Sequence, residues 1–321
     1  MPDRDSGSLM LSIGSNGYVS SDDVLYLRKH VFQDGVVSRE ELAALFALAE
    51  KAPQGDREWD DYFAEAASDF FLREEEPHGY LTDTEFAQLE AWICRDDPKT
   101  SGLELRLLIA LLEKAVAVPA AMTDFAAEQF RRHVRGRKGG ARIAKSDVEL
   151  LRRFLYAGGG AGAVAVTKQE AELLFDLHDL TGGADNDPTW PDLFLKAIAS
   201  HLMAHIGYRP LPREEALRLH EWVRDQTVDP AGFFHRMFSG GLSAIRDAYG
   251  RRPGTRHSAA ADDEIADAIA ERVTAQEADW LADRIGGNGR LDALEMALLV
   301  FMRDLGADLP PKLRALVERA A

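Results

Sequence analysis

A chain of 321 residues, 46% of them hydrophobic and 29% charged, can bury one large or two ordinary helical cores and is too apolar to be disordered. Its formal net charge of −16 repels duplex nucleic acid and anionic membrane surfaces, so neither is an expected partner. The lone cysteine, Cys94, excludes an intramolecular disulfide and a thiolate zinc cluster, and its apolar neighbours suggest a small core residue.

Residues 1–16 have no basic segment ahead of an apolar one, which predicts a flexible N-terminus without a secretory signal. No run approaches the ~20 apolar residues that a membrane span requires. A cytoplasmic location is the resulting expectation.

From residue 17 onward the chain repeats itself. Residues 17–72 (unit A) align with 140–203 (A′): Val19 with Ile143, Leu27 with Leu151, Glu41 with Glu170, Leu45-Phe46 with Leu174-Phe175, Trp59 with Trp190 and Phe63 with Phe194. Residues 80–130 (unit B) align with the C-terminal stretch (B′): Thr82, Glu85, Leu89 and Ile93 with Thr274, Glu277, Leu281 and Ile285, then Leu103-Glu104 with Leu294-Glu295. The organisation is a first half at 17–135, unit A′ at 136–205, an insert and linker at 206–270, and unit B′ at 271–321. Apolar stripes at helical spacing, such as Leu42, Leu45, Phe46 and Ala49 or Phe63, Ala66, Ala67 and Phe70, predict an all-α fold. The only β-like stretch, Ala163–Val166, is expected to pair with Val36-Val37.

One local motif recurs along the chain: an oxygen-bearing residue followed three positions later by an acid, ahead of an apolar run. The pairs are Ser20/Asp23, Ser38/Glu41, Thr82/Glu85, Ser101/Glu104, Thr167/Glu170, Thr274/Glu277 and Asp292/Glu295. Asp34–Glu41 and Asn288–Glu295 resemble the second half of an EF-hand loop, with glycine, an aliphatic residue and a final glutamate in register. Calcium also needs carboxylates at the first, third and fifth loop positions, where this chain puts His30 and Phe32, or Arg284 and Gly286. The motif is therefore expected to act as a capping box, which satisfies orphan amides at a helix start. The resemblance implies EF-hand-like helix–loop–helix units, arranged as a duplicated helical bundle, whose metal ligands are missing. Leu174–Ala197 (LFDLHDLTGGADNDPTWPDLFLKA) also resembles a motif of uncharacterised bacterial all-helical tandem-repeat proteins, a likeness that implies no activity.

Four acids near Trp190, namely Asp179, Asp185, Asp187 and Asp192, are the candidate ligands for a divalent cation, with calcium the one cofactor in view. A proline-initiated helix entry at Asp187-Pro188 accounts for the same loop without metal. Trp59 and Trp190 are expected to anchor helix starts. His201 and His205 lie one turn apart but lack the acid of an HExxH site, which suggests a partly exposed helix end. The acid-free stretch Arg131–Lys145 is expected to be a linker lying on the protein's own acidic surface. In the insert, Phe233, Phe234, Met237 and Phe238 form an aromatic–methionine cluster suited to capping a core or meeting a protein partner. These features favour a non-catalytic protein-interaction or scaffold protein. A calcium-binding protein using the loops before Trp59 and Trp190 is the alternative, and an enzyme with a site between the repeats comes third.

Overall fold

The computed structural model describes residues 13–95, 100–157, 166–205, 275–285 and 291–304, together with Ala315 and Glu318. The chain divides into two units, the first of residues 1–142 with 156–158 and the second of 143–155 with 159–321. Both are predominantly helical. Among the described residues no helix is long and apolar enough to cross a membrane.

The first unit opens with β1 (Tyr18–Val19) and α1 (Ser21–Tyr26), which runs on as a π-helical turn over Leu27–Val31. Next come α2 (Arg39–Lys51), β2 (Gln54–Gly55) and α3 (Arg57–Asp69), the last extended by a second π-helical turn at Phe70–Glu74. The unit is completed by α4 (Asp83–Ile93), α5 (Gly102–Lys114) and α6 (Ala121–Arg135). Helix α5 is buried over most of its circumference, from Leu103 and Leu105 through Leu107–Leu112, so it forms the centre of the unit; α3 packs against it.

The strand expectation is corrected. Strands β1 and β2 pair in parallel, Tyr18 opposite Gln54 and Val19 opposite Gly55. Val36 is buried and Val37 exposed, both outside any strand, and residues 163–165 lie outside those described. The ladder forms where the chain enters α1 and α3, because those entries converge on the Trp59 indole. Gly55 makes the approach possible: a Cβ there would stand 2.5 Å from the Val19 carbonyl oxygen and 2.6 Å from Trp59 Cδ1.

The second unit contains α7 (Lys145–Ala157), α8 (Lys168–Leu180), α9 (Trp190–His205), α10 (Ala275–Arg284) and α11 (Ala293–Asp304). Its core holds Phe154, Phe175, Trp190, Phe194, Leu281 and Leu298, and α9 packs against both α8 and α11.

Helix starts follow the local motif. Ser20, Ser38, Thr82, Ser101 and Thr167 each accept from the amide three residues on, and the acid there accepts from the cap's own amide. At α11 Asp292 takes the hydroxyl's place: its Oδ1 accepts from the Glu295 amide at 2.9 Å, and Glu295 Oε2 accepts from the Asp292 amide at 3.0 Å. Each cap is worth ~0.5–2 kcal/mol. The pair Thr274/Glu277 begins at a residue outside those described.

Internal geometry recurs between the units. Trp59 and Phe63 have ring centroids 5.9 Å apart at 59°, and Trp190 and Phe194 stand 5.8 Å apart at 59°. Phe46 meets Phe63 edge-on at 5.3 Å, as Phe175 meets Phe194 at 5.1 Å. The Asp56 amide donates to the Val19 carbonyl at 3.0 Å, and the Asp187 amide to the Ile143 carbonyl at 2.8 Å. Trp59 and Trp190 are both fully buried, the anchors their size suggests.

Candidate functional site

The four acids proposed around Trp190 are engaged separately. Asp192 is buried and pairs with Lys196 Nζ at 3.2 Å along α9. Asp187 Oδ1 accepts from the amide and hydroxyl of Thr189, a short side-chain turn that starts α9. Asp185 is exposed, and Asp179 lies 3.9 Å from an Arg284 guanidinium nitrogen. Among the described residues no group of three or more histidine, cysteine, aspartate or glutamate side chains is arranged to hold a metal ion.

Three other expectations are corrected. Cys94 is exposed at the end of α4, with Arg132 Nη1 3.6 Å from its sulfur; it is not a core residue, because the helix stops there and the apolar stripe ends at Ile93. His201 is fully buried, its Nδ1 2.9 Å from the Val166 carbonyl oxygen, because α9 passes beneath the start of α8; the side chain of His205 lies outside the described residues. The basic stretch begins as helix: Arg131 and Arg132 pair with Glu128 inside α6, and Arg135 ends it where cations complement the helix dipole. Phe233, Phe234, Met237 and Phe238 lie outside the described residues.

The structure instead brings polar groups together where α10 and the cap of α11 meet α8. Arg284 of α10 lies over the Phe175 ring at 5.3 Å and reaches three carboxylates of α8: Glu172 at 3.3 Å, Asp176 at 2.6 Å and Asp179 at 3.9 Å. One turn earlier Trp280 meets Phe175 edge-on at 5.8 Å and His201 at 5.3 Å; its indole N–H donates to Glu172, and Lys168 lies over its ring. His178 Nε2 is 2.7 Å from Asp292 Oδ2.

The electrostatics follow from partial burial. Burial works against a charged His178, but Asp292, with Glu295 and Asp179 behind it, prevails and raises its pKa. Burial likewise works against the Asp292 carboxylate, and the hydrogen bonds from His178 and from the amides of Glu295 and Leu294 prevail to lower it. Asp179 is raised, chiefly by burial, against the pull of Arg284 and His178. Glu170, in the cap of α8, is pushed up to about 7 by burial, although the Thr167 amide and hydroxyl favour its charged form.

The first unit has the same junction with different chemistry. Extending the register of Phe46 with Phe175 places Ala43, Ala47, Ala49 and Glu50 where the second unit has Glu172, Asp176, His178 and Asp179. Extending that of Ile93 with Ile285 places Trp92 at the position of Arg284. Trp92 packs on Phe46 at 5.1 Å and on Phe71 at 6.1 Å, an apolar joint. Sequence reasoning singled out only Asp179 of the charged set. The available signal was an acidic stripe at helical spacing, Glu172, Asp176 and Asp179, facing alanines in the other copy.

No protein-family model matches this chain, and comparison with curated proteins and with solved structures gives no match.

Proposed function

We propose that the protein is a non-catalytic interaction or scaffold protein, built on a duplicated A, B, A′, B′ frame of EF-hand-like helix–loop–helix units. One observation carries this reading: the frame recurs while the contact chemistry on it changes. The caps, the tryptophan anchors and the Phe46–Phe63 and Phe175–Phe194 pairs are repeated, whereas Trp92 and the alanines of α2 give way to Arg284 and the acids of α8. Constant frames with variable faces are how repeat proteins acquire partners. The acids that most resemble metal ligands, Glu41 and Glu295, are occupied in holding helix starts. In this reading Phe233, Phe234, Met237 and Phe238 supply the apolar anchors of the partner surface, a composition typical of binding hot spots.

The test uses the full-length chain as bait in native extract, beside a variant carrying serine at positions 233, 234, 237 and 238. A near-stoichiometric partner retained by the wild type and lost from the variant is the expected result. Sustained turnover of a small molecule by the purified chain, with no partner recovered, overturns the proposal.

A further inference from the structure

We infer that unit B′ is held on α8 by a salt-releasable ionic clasp centred on Arg284, whereas unit B is locked on α2 by the apolar Trp92 joint. Both joints sit on the same phenylalanine position, Phe175 in one unit and Phe46 in the other, at 5.3 Å and 5.1 Å. They differ in what supports the contact. Trp92 is surrounded by Phe46, Phe71 and the alanines of α2, so its attachment is hydrophobic and indifferent to simple salt. Arg284 depends on Glu172, Asp176 and Asp179, and its side chain and theirs remain between 23% and 35% exposed. Partly exposed pairs of this kind are screened as the Debye length shrinks from about 10 Å at 0.1 M salt to about 3 Å at 1 M.

The remaining charges around the clasp point the same way. Lys168 lies over Trp280, His178 pairs with Asp292, and Glu295 caps the same turn, so charged groups supply much of the α8 contact with α10 and α11. In sequence, residues 75–82 join α3's π-helical turn to α4, whereas residues 206–274 join α9 to α10. The longer connection restrains B′ less once its ion pairs weaken.

Release uncovers the Phe175 ring and both faces of Trp280, an aromatic surface bordered by acids that suits an arginine-bearing helix resembling α10. That a partner uses this surface rests on the function proposed above; the release does not.

The experiment is hydrogen exchange on the full-length protein between 0.05 M and 1 M NaCl. Amides of residues 275–284 are expected to exchange about tenfold faster at high salt, with those of 83–93 unchanged. Arg284→Trp, which installs the residue of the first joint, is expected to abolish the salt effect at 275–284. Salt-independent exchange at 275–284 in the wild type overturns the inference, as does an equal salt effect in a folded Arg284→Trp protein. The wild-type series decides by itself if the variant folds poorly. Because exchange reads release alone, a failed partner search leaves this result standing.

Discussion

Nε2 of His178 stands 2.7 Å from Oδ2 of Asp292, and this contact ties α8 to the residue that caps α11. The histidine is raised above its ordinary 6.5, so its contribution is complete below 6.5 and is lost as pH rises through the raised value. Asp292 is lowered from 3.8, so its contribution is present above 3.8 and is lost as pH falls through the lowered value. The attachment of α11 to α8 is therefore strongest between about pH 4 and 6.5. Asp292→Asn keeps a good cap but removes the pair, and a loss of about 1–2 kcal/mol is expected, modest because Asp292 is 40% exposed. Thermal unfolding across that window checks both the loss and the flattened pH profile.

Glu170 gives the same unit a second pH dependence. Its carboxyl is raised from 4.5 to about 7, so the folded chain binds the proton more tightly than the unfolded chain does. Stability contributed at this site is greatest below pH 4.5 and falls as pH rises towards 7. At ~1.4 kcal/mol per pH unit the whole span is on the order of 3 kcal/mol. Glu170→Gln, whose amide oxygen still accepts from Thr167, is expected to remove this slope in denaturant titrations at pH 5 and pH 8.

Gly55 lets β2 lie against both β1 and the Trp59 indole. Gly55→Ala puts a methyl group 2.5 Å from the Val19 carbonyl oxygen, a backbone atom that cannot swing aside. An overpacking cost of ~1–3 kcal/mol is expected, with Trp59 fluorescence shifted to the red as water reaches the ring. An unchanged melting temperature and spectrum would show that the strand separates freely.

The capping assignment is testable with metal. Glu41 accepts from the Val37 and Ser38 amides at 3.0 Å and 3.1 Å, and Glu295 from the Asp292 amide at 3.0 Å. Calcium at millimolar concentration is expected to leave the melting temperature unchanged and to give no heat in calorimetric titration. Ser101→Ala, in contrast, is expected to cost ~0.5–2 kcal/mol with or without calcium. A calcium-dependent rise in melting temperature that is lost in Glu41→Gln would show that the loop holds an ion.

Helix starts and tryptophan anchors were legible in the residues alone because their causes are local. A hydroxyl or carboxylate and an acid three positions on meet wherever the intervening residues turn, and a tryptophan that opens an apolar stripe has few stable places other than a core. The recurrences of Phe46 as Phe175 and Trp59 as Trp190 were readable for the same reason, since each is a matter of order along the chain. Tertiary structure alone decided the rest: that Val19 pairs with Gly55 instead of Val36 with a later strand, that Cys94 is exposed, that His201 is buried, and that Arg284 crosses to Glu172 and Asp176 more than a hundred positions away. Long-range charge pairing leaves no periodic trace in sequence, because its energy depends on which helix faces are brought together and how far water is kept from them.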